Sequence, residues 1–157
     1  MENIKKYYEN TENAQPHPMV KKIINMNIKP EKAIDLGCGA GRDTIFLIKN
    51  GWNVLAIDRE NTEEIICSKL DNEEINKFRF DNQNFENIEL EANNLLVANF
   101  SIPFCNKDCF YSLWDKITKS ILENRIFCWK FFWIKWFMGK NKRTNAILEQ
   151  RESVGFI

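Results

Sequence analysis

Apolar and polar positions along the chain sort it into short apolar runs separated by amphipathic stretches. Met19 to Met26 carries Val20, Ile23 and Ile24 on one side and predicts a short helix. Ala33-Ile34-Asp35-Leu36 is a compact apolar run that stops against alternating glycines at Gly37, Gly39 and Gly41. Past Asp43 the period becomes helical, with Ile45, Phe46 and Ile48 on one side and Gly51 as the stop. Asn53 to Asp58 is a second apolar strand that ends in an acid. Asn61-Thr62-Glu63-Glu64 opens another helix with acids in its first turn, backed by Ile65, Ile66 and Leu70. Phe78-Arg79-Phe80 alternates as a strand does and leads into Asp81-Asn82-Gln83-Asn84-Phe85-Glu86. Leu95 to Asn99 has the continuous apolar character of a strand buried on both faces. Asp108 to Leu122 predicts an amphipathic helix with Phe110, Leu113, Trp114, Ile117 and Ile121 on one stripe. Strands alternating with helices predict an α/β fold, a mostly parallel sheet with helices on both faces.

The glycine run carries the first chemistry. Strand, glycine turn and helix together present backbone N–H groups to an anionic or strongly polar ligand. A nicotinamide-binding turn follows Gly-x-Gly-x-x-Gly, and here its sixth position is Arg42, which disfavours a nicotinamide oxidoreductase. An acid at the tip of the second strand, Asp58, is where this architecture holds a ribose diol. An ordinary glycine turn in some other α/β protein is the alternative.

Bulk properties narrow the partners. A length of 157 residues fits one domain with a real core. Lys+Arg and Asp+Glu stand at 22 each, so no overall field favours nucleic acid or an anionic membrane. The start, Met1-Glu2-Asn3-Ile4-Lys5-Lys6, lacks the apolar core of a signal peptide. Five cysteines at irregular spacing beside one histidine fit reduced thiols in a cytoplasmic protein. Cys105 and Cys109 have no second pair to complete a metal site, so no metal is expected.

Four stretches together carry a closer likeness: Tyr7-Tyr8, Pro16-His17-Pro18, Asp35 to Asp43, and Asn99-Phe100-Ser101-Ile102-Pro103-Phe104-Cys105. In these, the sequence up to Asn124 resembles small bacterial methyltransferases of the tellurite-resistance or thiopurine-methyltransferase-like group. The resemblance implies a Rossmann-like methyltransferase fold and S-adenosylmethionine as cofactor. It places the methionine moiety against Asp35, Gly37, Gly39 and Gly41, and the ribose on Asp58. The adenine would lie by Asn84 and Phe85, with Asn84 standing where similar proteins usually carry an acid. Asn99 and Phe100 would border the methyl group and the acceptor. The implied activity is methyl transfer to a small soft nucleophile, a chalcogen oxyanion or a thiol; an inactive remnant or a binding module without catalysis is the alternative. His17 is a candidate base, or a turn residue fixed by its flanking prolines. Arg42 is a candidate receiver of an anionic substrate, or a surface partner of an acid. Tyr7 and Tyr8 either cap the pocket or cover the core.

Three segments follow: 1–32 as an entry segment and helix, 33–124 as the cofactor-binding core, and 125–157 as an atypical aromatic and basic tail. Ile126 to Met138 has neither a strand period nor a helical one. One coding of Arg125 to Gly139 with its first base removed reads Gly-Tyr-Phe-Val-Gly-Asn, a glycine turn and a strand, so the tail is read as a displaced frame and the fold as C-terminally incomplete; a genuine aromatic C-terminus that packs on the sheet is the alternative. The expectation is a weakened fifth strand over Ile126–Phe132, no complete strands beyond it, and an open edge prone to aggregation. The thirteen residues from Ile126 to Met138, which include Lys130 and Lys135, are too few and too charged to span a bilayer, which leaves an interfacial role for 126–143, backed by Lys140, Lys142 and Arg143, at most. A monomer or dimer is expected.

Overall fold

The computed structural model describes residues 13–130 and 152–156 together with Lys6, Tyr8 and Thr11; for residues 123–125, 129–130 and 152–156 it describes the backbone alone. Tyr7, the stretch Phe131–Met138 and the basic residues Lys140, Lys142 and Arg143 lie outside the described residues.

The elements run α1 (Pro18–Asn25), β1 (Lys32–Leu36), α2 (Arg42–Lys49), β2 (Asn53–Asp58), α3 (Glu63–Cys67), β3 (Phe78–Asn82), β4 (Asn93–Asn99), α4 (Phe110–Ser120), β5 (Ile121–Lys130) and β6 (Glu152–Phe156). The sheet order is β3-β2-β1-β4-β5-β6, parallel throughout except for β6, which runs antiparallel to β5. From β1 the chain winds outward through β2 and β3, then returns to the other side of β1 for β4. The switch between β1 and β4 is where an open α/β sheet leaves a crevice at its carboxyl edge.

Both faces of the sheet are covered, as the continuous apolar strands require. Ile34, Leu36, Leu96, Ala98 and Phe127 face α4, where they pack with Phe110, Leu113 and Ile117. Ala33, Val54, Leu95, Val97, Ile126 and Cys128 face the other way, onto Val20 and Ile23 of α1 and Leu47 and Ile48 of α2. Neighbouring residues on β4 therefore serve opposite layers, and each buried leucine or isoleucine contributes about 1.5–3 kcal/mol.

Two expectations about the C-terminal half are corrected. Ile121 does not close the helical stripe: α4 ends at Ser120, and Ile121 is already extended as the first residue of β5. No glycine is needed at this junction, because the chain passes from helix to strand at once. It takes up the excess length as an irregularity, with Asn93 opposite Ile121 and Leu95 opposite Ile126. The edge of β5 is also not open. Glu152 to Phe156 pairs along it, from Lys130 opposite Glu152 to Ile126 opposite Phe156. This pairing exists in the reading frame as written. Glu152 to Phe156 carries no strand pattern of its own and is recognisable as a strand only beside its partner.

Candidate functional site

The turn after β1 is pinned before any ligand arrives. Gly37 N–H and Cys38 N–H both donate to the Ile57 carbonyl, at 2.7 and 3.1 Å, which ties the loop to the end of β2. Gly39 N–H donates to Asp58 Oδ2 at 2.9 Å. Gly37 has φ +80°, and a Cβ there would overlap the Ser101 side chain and crowd Phe85. Gly41, φ +81°, is the N-cap of α2, and a Cβ on it would run into Ile66 of α3. Gly37 thus admits the close approach of the Ser101 and Phe85 side chains at the crevice, whereas Gly41 serves the packing of two helices.

Above this turn lies a cavity of about 710 Å³ at the carboxyl ends of β1, β2 and β4. Nine of the sequence-predicted site residues line it: Asp35, Gly37, Gly39, Arg42, Asp58, Asn84, Phe85, Asn99 and Phe100. Gly41 and His17 are not in the lining. His17 is buried as the N-cap of α1, its Nδ1 accepting the Met19 N–H at 3.3 Å. Its ring stands edge-on to Phe100 with centroids 5.5 Å apart. Phe100 itself holds φ +63°, a strained conformation for a bulky residue at the mouth of a site.

Carboxylates dominate the polar lining. Asp58 Oδ1 accepts from Glu60 N–H at 3.0 Å and from the Tyr8 hydroxyl at 3.3 Å. Asp35 is buried, and Thr44 Oγ1 donates to its Oδ2 at 2.6 Å. Burial, reinforced by the negative charge of Asp43, pushes the Asp35 carboxyl up to about 7. Burial and the neighbouring Asp58 raise the Tyr8 hydroxyl well above its ordinary range.

Several lining residues had no role in the sequence reading. Asp43 ends the glycine motif, and an acid in the first turn of a helix ordinarily reads as a dipole partner. In the fold it is buried, and it accepts the His17 backbone N–H at 2.7 Å and Asn99 Nδ2 at 3.0 Å. Arg42 Nε lies 3.6 Å from Asp43 Oδ1. Ser101, Arg59 and Phe104 also line the cavity, and Phe104 is 74 % exposed. Their signal was only their place after a strand end. Ser101 Oγ and Asn99 Oδ1 are buried without a hydrogen-bond partner among the described residues. Among those residues no cluster of three or more His, Cys, Asp or Glu side chains suits a metal ion, and no helix is long and apolar enough to cross a membrane.

A doubly wound parallel sheet with an antiparallel edge strand and its crevice at the β1–β4 switch is the fold of Rossmann-like methyltransferases. A Burkholderia thailandensis 1,6-didemethyltoxoflavin-N1-methyltransferase, solved with 1,6-didemethyltoxoflavin and S-adenosylhomocysteine bound, is similar at TM-score 0.68 and 19% identity over 83% of this chain. TehB from Haemophilus influenzae is similar at TM-score 0.69 and 18% identity over 90% of it. Residues 2–123 match the family of tellurite resistance protein TehB, and the chain belongs to that family. It spans 60% of the length of the Burkholderia enzyme and 53% of the Haemophilus protein. Among curated proteins none matches the sequence.

Proposed function

We propose that this chain binds S-adenosylmethionine in the crevice and transfers its methyl group to a small soft nucleophile, a chalcogen oxyanion or a thiol. The observation that carries the reading is the cavity itself, lined together by the glycine turn with a Gly37 that has no room for a Cβ, by the acid at the tip of β2, and by Asn99 and Ser101 with their unpartnered polar atoms at the end of β4. These residues fit the cofactor. When bound, it supplies an electrophilic sulfonium methyl carbon, so the protein has mainly to align the partners and exclude water.

Asp58 would hold the ribose. Its Oδ2 is committed to the backbone at Gly39, whereas the Tyr8 hydroxyl on Oδ1 is a longer contact that a diol can displace. Asn84 and Phe85 would flank the adenine, Phe85 by stacking. Asp35 and the turn from Gly37 to Gly39 would receive the methionine moiety. Arg42, with Arg59 on the same lining, offers positive charge to an anionic acceptor. His17 caps α1 and reaches the cavity through Phe100 and Asp43, so its proposed part is to hold the mouth in shape. A soft nucleophile needs no general base, which agrees with that assignment.

Calorimetric titration with S-adenosylhomocysteine and with NAD tests the cofactor, and NAD binding alone would sink the reading. Methylation of tellurite, selenite and simple thiols, read as volatile or methylated product, tests the acceptor. The second reading is a cofactor-binding module without turnover. Tight S-adenosylhomocysteine binding with no product from any acceptor would select it.

A further inference from the structure

Asn99 and Ser101, at and just past the carboxyl end of β4, line the cavity, and Asn99 Oδ1 and Ser101 Oγ are both buried and without a partner among the described residues. Buried polar groups are nearly always satisfied, and one left open on the wall of a cavity is completed by what binds there. The orientation of the Asn99 amide is dictated from behind. Its Nδ2 donates to Asp43 Oδ2 at 3.0 Å. Asp43 Oδ1 in turn accepts the His17 backbone N–H at 2.7 Å, and Arg42 Nε stands 3.6 Å from the same oxygen. A carboxylate offers acceptors alone, so the NH2 end of the amide must face Asp43 and the carbonyl end is turned away from it, on a residue that lines the cavity.

We infer that Asp43 is a positioning residue: it fixes the Asn99 amide so that Asn99 Oδ1 and Ser101 Oγ receive a ligand group that donates hydrogen bonds, a protonated amine being the best match. This rests on the cofactor reading above. The donor belongs either to the amino-acid end of the cofactor or to a proton-bearing atom of the methyl acceptor, and the two sources have different readouts.

Asp43→Asn inverts the arrangement. The His17 N–H still demands an acceptor, so the new amide turns its oxygen toward His17 and its NH2 toward Asn99. The Asn99 amide must then rotate and present NH2 to the cavity. In the exchange D43N/N99D, the amide at position 43 donates to a carboxylate at position 99, whose second oxygen faces the cavity again.

The test compares S-adenosylhomocysteine with 5′-methylthioadenosine, which keeps the nucleoside but has no amine. D43N should weaken S-adenosylhomocysteine about tenfold while leaving 5′-methylthioadenosine nearly unchanged, and the exchange should restore the difference. If instead both affinities hold while the KM for tellurite rises in D43N and recovers in the exchange, the donor belongs to the acceptor and the inference stands. Equal weakening of both nucleosides, or an exchange no better than D43N, would reduce Asp43 to a structural residue and overturn it. A wild-type chain that binds no S-adenosylhomocysteine overturns the cofactor reading first; one that binds it while D43N matches it in every readout overturns this inference alone.

Discussion

Asp35 shows at the residue scale what burial does to a carboxylate. Its pKa is raised in the fold by burial first and by Asp43 second, up to about 7 from 3.8. Below the ordinary value the group is protonated in both states. As pH rises from there toward 7 the unfolded chain releases a proton that the folded chain keeps, so stability falls, and above 7 it levels off. Asp35→Asn keeps an acceptor for Thr44 and removes the ionisation. Urea unfolding should lose most of its pH slope between about pH 5 and 7 in that variant; an undiminished slope would place the titration on another group. Asp58→Ala should weaken S-adenosylhomocysteine by about 1–3 kcal/mol, because the ribose hydroxyls lose their acceptor. Unchanged affinity would move the ribose elsewhere. His17 separates the same way. His17→Ala should cost about 1 kcal/mol of stability through the lost cap, and His17→Asn, itself a good cap, should recover both stability and turnover. Recovery of stability without turnover would bring the imidazole into the chemistry.

At the scale of elements, the glycine turn is a junction of packing as much as a ligand cradle. Gly41 caps α2 with φ +81° while Ile66 of α3, fully buried, fills the space a side chain would need. Gly41→Ala therefore combines backbone strain with overlap and should destabilise by about 2 kcal/mol or more. Adding Ile66→Ala relieves the overlap but not the strain, so thermal unfolding of the double variant should show less than the summed loss. Additive losses would mean that the two residues do not meet. The α4–β5 junction shows why a stripe of apolar residues does not fix where a helix stops. Ile121 is apolar at the right spacing, yet Asn93 opposite it draws it into the sheet.

For the whole molecule the decisive feature is the closing of the sheet edge. β5 pairs with β4 on one side and β6 on the other, so its backbone groups from Ile126 to Lys130 are not left to a neighbouring molecule. Ending the chain after Lys130 should bare that edge, and light scattering at matched concentration should show aggregation that the full chain does not. Equal behaviour of the two would mean that β6 does not protect β5.

Local pattern was enough for the sheet core and for the glycines and acids of the cavity wall, whereas Asn84, Phe85, Asn99 and Phe100 were reached only through the family resemblance. The strand over Asn53–Asp58, the glycines and the acids at the ends of β1 and β2 are legible because apolar runs, turns and strand tips are set by near neighbours in the chain. Asp43, Ser101 and β6 were not. Asp43 acquires its partners across 26 and 56 positions of sequence, and β6 is a strand only because β5 lies beside it. A hydrogen bond between distant residues leaves no period in the sequence, so its direction, and with it which end of the Asn99 amide meets a ligand, was decided by the tertiary structure alone.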